Sequence, residues 1–86
     1  MVIWKYELEI KDQQKVSMPQ NSRILSVQRQ RESLCLWVIV NPDSKQIQRT
    51  FALIGTGVPI KHLVPNLHLG TVQMSNGLEW HVFELI

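Results

Sequence analysis

Seven consecutive apolar residues, at positions 34–40, constrain the fold of this chain more than any other stretch. A strand with one buried face alternates apolar and polar residues, because successive side chains point to opposite faces of the sheet. This stretch does not alternate, and turn-forming residues flank it on both sides. It therefore predicts a strand covered on both faces. Since a chain of 86 residues can barely supply two covering layers, we expect the second cover to come from another copy or from a partner.

The remaining sequence predicts more short strands and no helix. Apolar residues alternate with polar ones over residues 4–10 and again over residues 24–30, which is the period of two of a half-buried strand. Residues 24–30 are predicted to form a hairpin with the apolar run. Asn76-Gly77 predicts a second hairpin, because the favoured two-residue turn needs positive φ at both central residues.

These elements predict one all-β domain over residues 1–86. We expect about seven short strands in an antiparallel meander that closes into a small barrel or a sandwich. Residues 58–67 contain Pro59 and Pro65, so that segment is expected to be neither a regular strand nor a long helix.

The composition indicates the cellular compartment and excludes some classes of partner. The single cysteine, Cys35, excludes an internal disulfide framework and is typical of a reducing compartment. No apolar run approaches the roughly 20 residues that span a bilayer, and the N-terminus lacks the pattern of a signal peptide. The net charge of +2 is spread along the chain, whereas nucleic-acid binding needs a clustered basic surface. The sequence therefore predicts a cytoplasmic protein with no membrane contact and no nucleic-acid partner.

No cluster of residues predicts catalysis or metal binding. Cys35 lies inside the apolar run, where burial is expected to raise the pKa of its thiol and to make it inert. The histidines His62, His68 and His81 lack the spacing of metal ligands, and no second cysteine completes a zinc site. We therefore expect a non-enzymatic protein with no catalytic residue, no cofactor and no metal.

Gly55-Thr56-Gly57 is the loop with the strongest indication of a binding site. Two glycines around a small hydroxyl residue allow the backbone to approach an anion closely and to point its N–H groups at it. The alternative is a bulge or tight corner that binds nothing. If a ligand binds here, Arg49 or Lys61 is expected to supply positive charge.

The aromatic residues suggest an interface. Trp37 and Ile39 share one face of the apolar run, and the opposite face is expected to pack in the core. Trp4 lies on the first predicted strand. Because tryptophan is enriched at interface hot spots, we name Trp4, Trp37 and Ile39 as candidate interface residues. The alternative is a barrel that curls enough to bury both faces of the strand.

A set of short motifs resembles those of a family of short phage and prophage proteins that carry a domain of unknown function. The resemblance covers nearly the whole chain and implies a phage-encoded accessory protein in the cytoplasm of a bacterial host, but it implies no activity. The motifs are Ile3-Trp4-Lys5-Tyr6-Glu7-Leu8, Met18-Pro19, Ile24-Leu25-Ser26-Val27-Gln28, Leu36-Trp37, Asn41-Pro42, Phe51, Gly55-Thr56-Gly57, Gly70-Thr71-Val72-Gln73 and Trp80-His81-Val82-Phe83-Glu84.

Two functions from different classes remain open. The first is a self-associating accessory protein that binds a host protein and inhibits or redirects it, with antiviral defence among the implied targets. The second is an oligomeric protein that sequesters a small ligand such as a nucleotide signal beside Gly55-Thr56-Gly57. A third function, the binding of single-stranded nucleic acid on a small barrel, has less support. Such a site needs basic and aromatic side chains on one face, whereas Trp4-Lys5-Tyr6 places them on opposite faces.

Overall fold

The computed structural model describes residues 1–60 and 66–86. These residues form two antiparallel sheets, of three and four strands, with the strand orders β1-β4-β3 and β2-β5-β7-β6. The all-β class is therefore confirmed, and the described strands form a sandwich, not a closed barrel. The strands are β1 (Val2–Leu8), β2 (Gln13–Pro19), β3 (Arg23–Gln30), β4 (Ser33–Val40), β5 (Gln46–Gly55), β6 (Asn66–Gln73) and β7 (Glu79–Leu85).

The strand order differs from that of a simple meander. β1 pairs with β4 and β2 pairs with β5, so the chain passes from one sheet to the other between β1 and β2. At this crossing, the side-chain amide of Gln14 bonds to both backbone polar groups of Glu9. The Glu9 N–H donates to Gln14 Oε1 at 2.9 Å, and Gln14 Nε2 donates to the Glu9 carbonyl at 2.7 Å. A side chain thus satisfies backbone groups that a meander would have paired with the next strand.

Both predicted hairpins form. β3 pairs with β4, and β6 pairs with β7. In the second hairpin Gly77 has a φ of 87°, whereas Asn76 does not have a positive φ. The Met74 carbonyl accepts the Gly77 N–H at 3.1 Å. The loop is therefore a three-residue connection with glycine in the left-handed region, and not the two-residue turn that Asn-Gly most often makes.

The core lies between the sheets, and the apolar run supplies its centre. The even-numbered residues of β4 point inward and are completely buried. They pack against Phe51 of β5 and Val82 of β7. Residues 34–40 thus lie in β4, the central strand of the three-stranded sheet. The four inward residues are Leu34, Leu36, Val38 and Val40.

The outer face of β4 has no second covering layer among residues 1–60 and 66–86. Glu7 lies opposite Cys35 and Lys5 lies opposite Trp37 on the neighbouring strand, and long side chains of this kind cover part of the face. Cys35 is only 1% exposed, and burial raises the pKa of its thiol as predicted. Trp37 and Ile39 are half-buried. Within the described residues this face is therefore only partly covered, and a second cover from another copy or a partner stays a prediction.

No helix in the described part of the chain is long and apolar enough to cross a membrane.

Candidate functional site

Gly55-Thr56-Gly57 forms a tight turn at the end of β5. The Gly55 carbonyl accepts the Val58 N–H at 3.1 Å, and Gly57 has a φ of 86°. A hydrogen bond from residue i+3 to residue i, together with positive φ at i+2, is the pattern of a type II β-turn. Glycine adopts this φ without steric cost, whereas a side chain at the position would strain the backbone. We call this element the Gly-Thr-Gly turn.

The first prediction concerns the conformation of this turn. Gly57→Val is expected to lower the free energy of unfolding by about 2 kcal/mol, because a β-branched residue is strained at positive φ. A β-carbon at Gly57 would meet no atom within 4 Å, so the loss would come from the backbone and not from a clash. Urea unfolding followed by Trp fluorescence measures it. Gly57→Asn is the control, since asparagine tolerates this region and should cost much less. Equal stability of Gly57→Val and the wild type would contradict the argument.

A groove of about 530 Å³ lies beside the turn. It is formed by the start of β2, the second half of β5, residues 58–60 and β7. Its walls are predominantly apolar, and Val58 and Ile60 are 56% and 55% exposed. The described lining residues are Asp12, Gln13, Ala52, Leu53, Ile54, Gly55, Val58, Pro59, Ile60, Trp80 and Leu85.

Asp12 is the only charged residue in the described lining of the groove. Arg49 precedes Gly55 by six residues along β5, which is about 20 Å in an extended strand, so it does not reach the turn. Lys61 and His62 lie outside the described residues. Among the described residues, Asp12 lines the groove beside the Gly-Thr-Gly turn, and Arg49 does not.

Arg49 instead forms a partly buried ion pair on the inner face of the four-stranded sheet. Its Nε and Nη2 donate to the two carboxylate oxygens of Glu84 at 2.6 and 2.7 Å. Its Nη1 donates to the Ser22 carbonyl at 2.5 Å, which ties β5 to the β2–β3 connection. The side chains of Arg49 and Glu84 are 19% and 14% exposed, and the hydrogen bond to Glu84 raises the pKa of Arg49. All three nitrogen groups of the guanidinium are thus used within the protein.

On the outer face of the same sheet, Thr56 joins a hydrogen-bonded cluster. The Thr56 hydroxyl donates to Glu79 Oε1 at 3.0 Å and lies 2.7 Å from His81 Nε2. Because this hydroxyl has one proton, His81 must donate from Nε2 to Thr56. On the other side of the ring, His81 Nδ1 lies 2.9 Å from the Thr71 hydroxyl. The bonds from Gln73 and Thr56 lower the pKa of Glu79.

This cluster holds the Gly-Thr-Gly turn against β6 and β7. The sequence did not predict it, because Thr56, Thr71 and His81 become neighbours only through the pairing of β5, β7 and β6. No group of three or more His, Cys, Asp or Glu residues suited to a metal ion occurs among the residues that the structure describes.

The three candidate interface residues do not form one surface. Trp4 lies opposite Val38, so its side chain is on the inner face of the three-stranded sheet. Ile39 lies opposite Ile3, on the outer face that also carries Trp37. Trp4 is 39% exposed and Ile3 is 59% exposed. Exposed apolar surface therefore concentrates on β1, on both faces of the sheet.

Comparison with known protein families gives a match over the whole chain. The family model described as "Domain of unknown function (DUF7352)" matches residues 1–86. No curated protein matches the chain. No solved structure matches it either.

Proposed function

We propose that this protein, which belongs to the DUF7352 family of domains of unknown function, is a non-enzymatic module that binds another protein through the groove beside the Gly-Thr-Gly turn. The partner is a bacterial host protein, which the module inhibits or redirects. The resemblance of its motifs to those of phage and prophage proteins supports a phage-encoded accessory protein that acts in the host cytoplasm, with components of antiviral defence among the candidate targets.

The observation that carries the proposal is the exposure of the apolar groove wall. Val58 and Ile60 are more than half exposed, and they stand beside the half-buried Trp80. Adjacent exposed apolar residues around a groove are typical of interaction sites, because a monomer gains nothing by leaving them in water. A groove of about 530 Å³ is large enough for one or two apolar side chains of a partner to enter.

The charge of the groove selects the kind of partner. Asp12 is exposed and lines the groove, so its negative charge would favour a lysine or arginine beside the apolar anchor. A nucleotide would instead bring its phosphates close to this carboxylate. Arg49, one of the two cations named for a ligand site, donates to Glu84 and Ser22. We therefore favour a protein segment with an apolar anchor and a neighbouring basic residue over a nucleotide signal.

The second prediction tests the groove with a matched pair of variants. Ile60→Glu should weaken capture of the host partner about 10- to 100-fold, as expected for a hot-spot residue that becomes charged. Leu78→Glu is the control, because Leu78 is 52% exposed and does not line the groove. Tagged wild type and both variants are expressed in bacterial cells, purified and compared by native mass spectrometry. Equal capture by the two variants would contradict the groove as the binding site.

The same spectra separate the two functional classes. A protein partner that is lost with Ile60→Glu and weakened by Asp12→Lys supports the proposal. A retained compound of a few hundred daltons that is lost with Ile60→Glu, with no protein partner, would contradict it and identify a small-ligand site in the groove.

A further inference from the structure

The edge strand β1 exposes apolar side chains on both of its faces. Val2 and Trp4, on the inner face, are 45% and 39% exposed, and Ile3, on the outer face, is 59% exposed. In the described part of the chain, β4 is the only strand that pairs with β1. A ligand on one face of the sheet would leave the other face in water. A strand added to the free edge of β1 covers both faces and also satisfies its unpaired backbone groups.

We propose that this added strand is β1 of a second copy, paired antiparallel about a twofold axis at Tyr6. The two three-stranded sheets then form one six-stranded sheet. An axis perpendicular to the sheet keeps the inner and outer faces of the two copies aligned, so that residues on the same face lie opposite each other. This assembly goes beyond the proposed function and does not use the groove.

The charged residues of β1 favour a twofold axis at Tyr6 over an axis at a neighbouring residue. Lys5 and Glu7 both lie on the outer face, one residue to either side of Tyr6. An axis at Tyr6 therefore places Lys5 opposite the partner's Glu7 twice, whereas an axis at Lys5 would place two ammonium groups opposite each other. Opposite charges directly across a strand pair stabilise it, and like charges destabilise it.

Lys5 and Glu7 can each form a further hydrogen bond or ion pair across the strand pair. Both are exposed. The Lys5 ammonium donates to Gln30 and has two further N–H groups. Glu7 accepts the Ser33 hydroxyl at Oε1 at 2.8 Å, which leaves Oε2 for a second donor.

The apolar side chains are also complementary in this register. Trp4 faces the partner's Leu8, and Tyr6 faces the partner's Tyr6. Val2 lies opposite the partner's position 10, which is two residues beyond the end of β1, and Ile10 at that position is 49% exposed. Over residues 4–8 of both copies, the inner face of the joined strands is thereby apolar.

The test is a charge exchange, which forms the third prediction. Lys5→Glu alone and Glu7→Lys alone each place like charges opposite each other twice, and each should weaken dimerisation about 10- to 100-fold. A mixture of the two variants should recover a dimer that contains one chain of each. Sedimentation velocity at about 100 µM protein and below measures assembly, and native mass spectrometry distinguishes mixed from unmixed dimers. Circular dichroism checks that each variant is folded.

Lys15→Glu provides the matched control. It makes the same change in charge on an exposed lysine of β2, which is the edge strand of the other sheet, and should leave the dimer intact. A monomeric wild type, single variants that dimerise as the wild type does, or a mixture that stays monomeric would each overturn the proposal. Capture of a host partner by monomeric Lys5→Glu would leave the proposed function standing, so the two can fail separately.

Discussion

Replacing Arg49 by methionine is expected to lower the free energy of unfolding by about 2–3 kcal/mol, because the substitution leaves the Glu84 carboxylate without its partner in a largely buried site. The Glu84 side chain is only 14% exposed. It loses two charge-assisted hydrogen bonds, and the Ser22 carbonyl loses the Arg49 donor as well. Removal of one partner of a fully buried pair costs more, and the remaining exposure of Glu84 reduces the loss. Guanidinium chloride unfolding monitored by circular dichroism measures the change.

A double-mutant cycle identifies the cause of that loss. Arg49→Met with Glu84→Met removes both charges and should recover more than half of the lost stability, because apolar residues can replace a buried pair with little net cost. Arg23→Met serves as the control, since Arg23 is an exposed arginine on β3 and should change stability by less than about 0.5 kcal/mol. If Arg49→Met unfolds at the wild-type midpoint, the ion pair does not stabilise the fold.

The strands of this fold were predictable because hydrophobic alternation is a local property. Residues 34–40 and the alternating segments before them appear as strands at nearly the predicted positions. The pairing was not predictable, because alternation reveals which residues share a face and not which strand lies alongside. The crossing between β1 and β2 is bridged by the side-chain amide of Gln14, which no sequence pattern distinguishes from an ordinary turn residue.

The candidate site was predictable only in part, for a related reason. The two glycines of the Gly-Thr-Gly turn indicate a special backbone, and Gly57 has the positive φ that they suggested. Arg49 alternates with Phe51 on the face that proves to be the core. A charged residue on such a face needs a buried partner, but Glu84 becomes adjacent only through the β5–β7 register. The groove likewise joins four separate segments, which no local pattern connects.

Gly70→Val is expected to destabilise the protein by about 3 kcal/mol, because the strand that carries Gly70 packs against β3 where the two sheets meet at one side of the sandwich. A β-carbon at Gly70 would lie 2.8 Å from Val27 Cγ1, which is closer than real side chains approach. Val27 is itself 8% exposed and β-branched, so its side chain has few rotamers in which to turn away. The register of β6 against β7 shifts between His68 and Gly70, so the backbone is already irregular at this point. Thermal and urea unfolding measure the loss.

Removing the atom that would clash with the new side chain tests this explanation. Val27→Ala alone should cost roughly 1–2 kcal/mol through the cavity that it leaves. Added to Gly70→Val, it should cost less than the sum of the two single changes, since the valine at position 70 fills the space that Val27 vacates. If the double variant is more stable than the sum of the single changes predicts, by about 1 kcal/mol or more, Gly70 is required for the contact between the two sheets. Strict additivity would assign it instead to the conformation of β6 alone, and a wild-type midpoint for Gly70→Val would exclude both explanations.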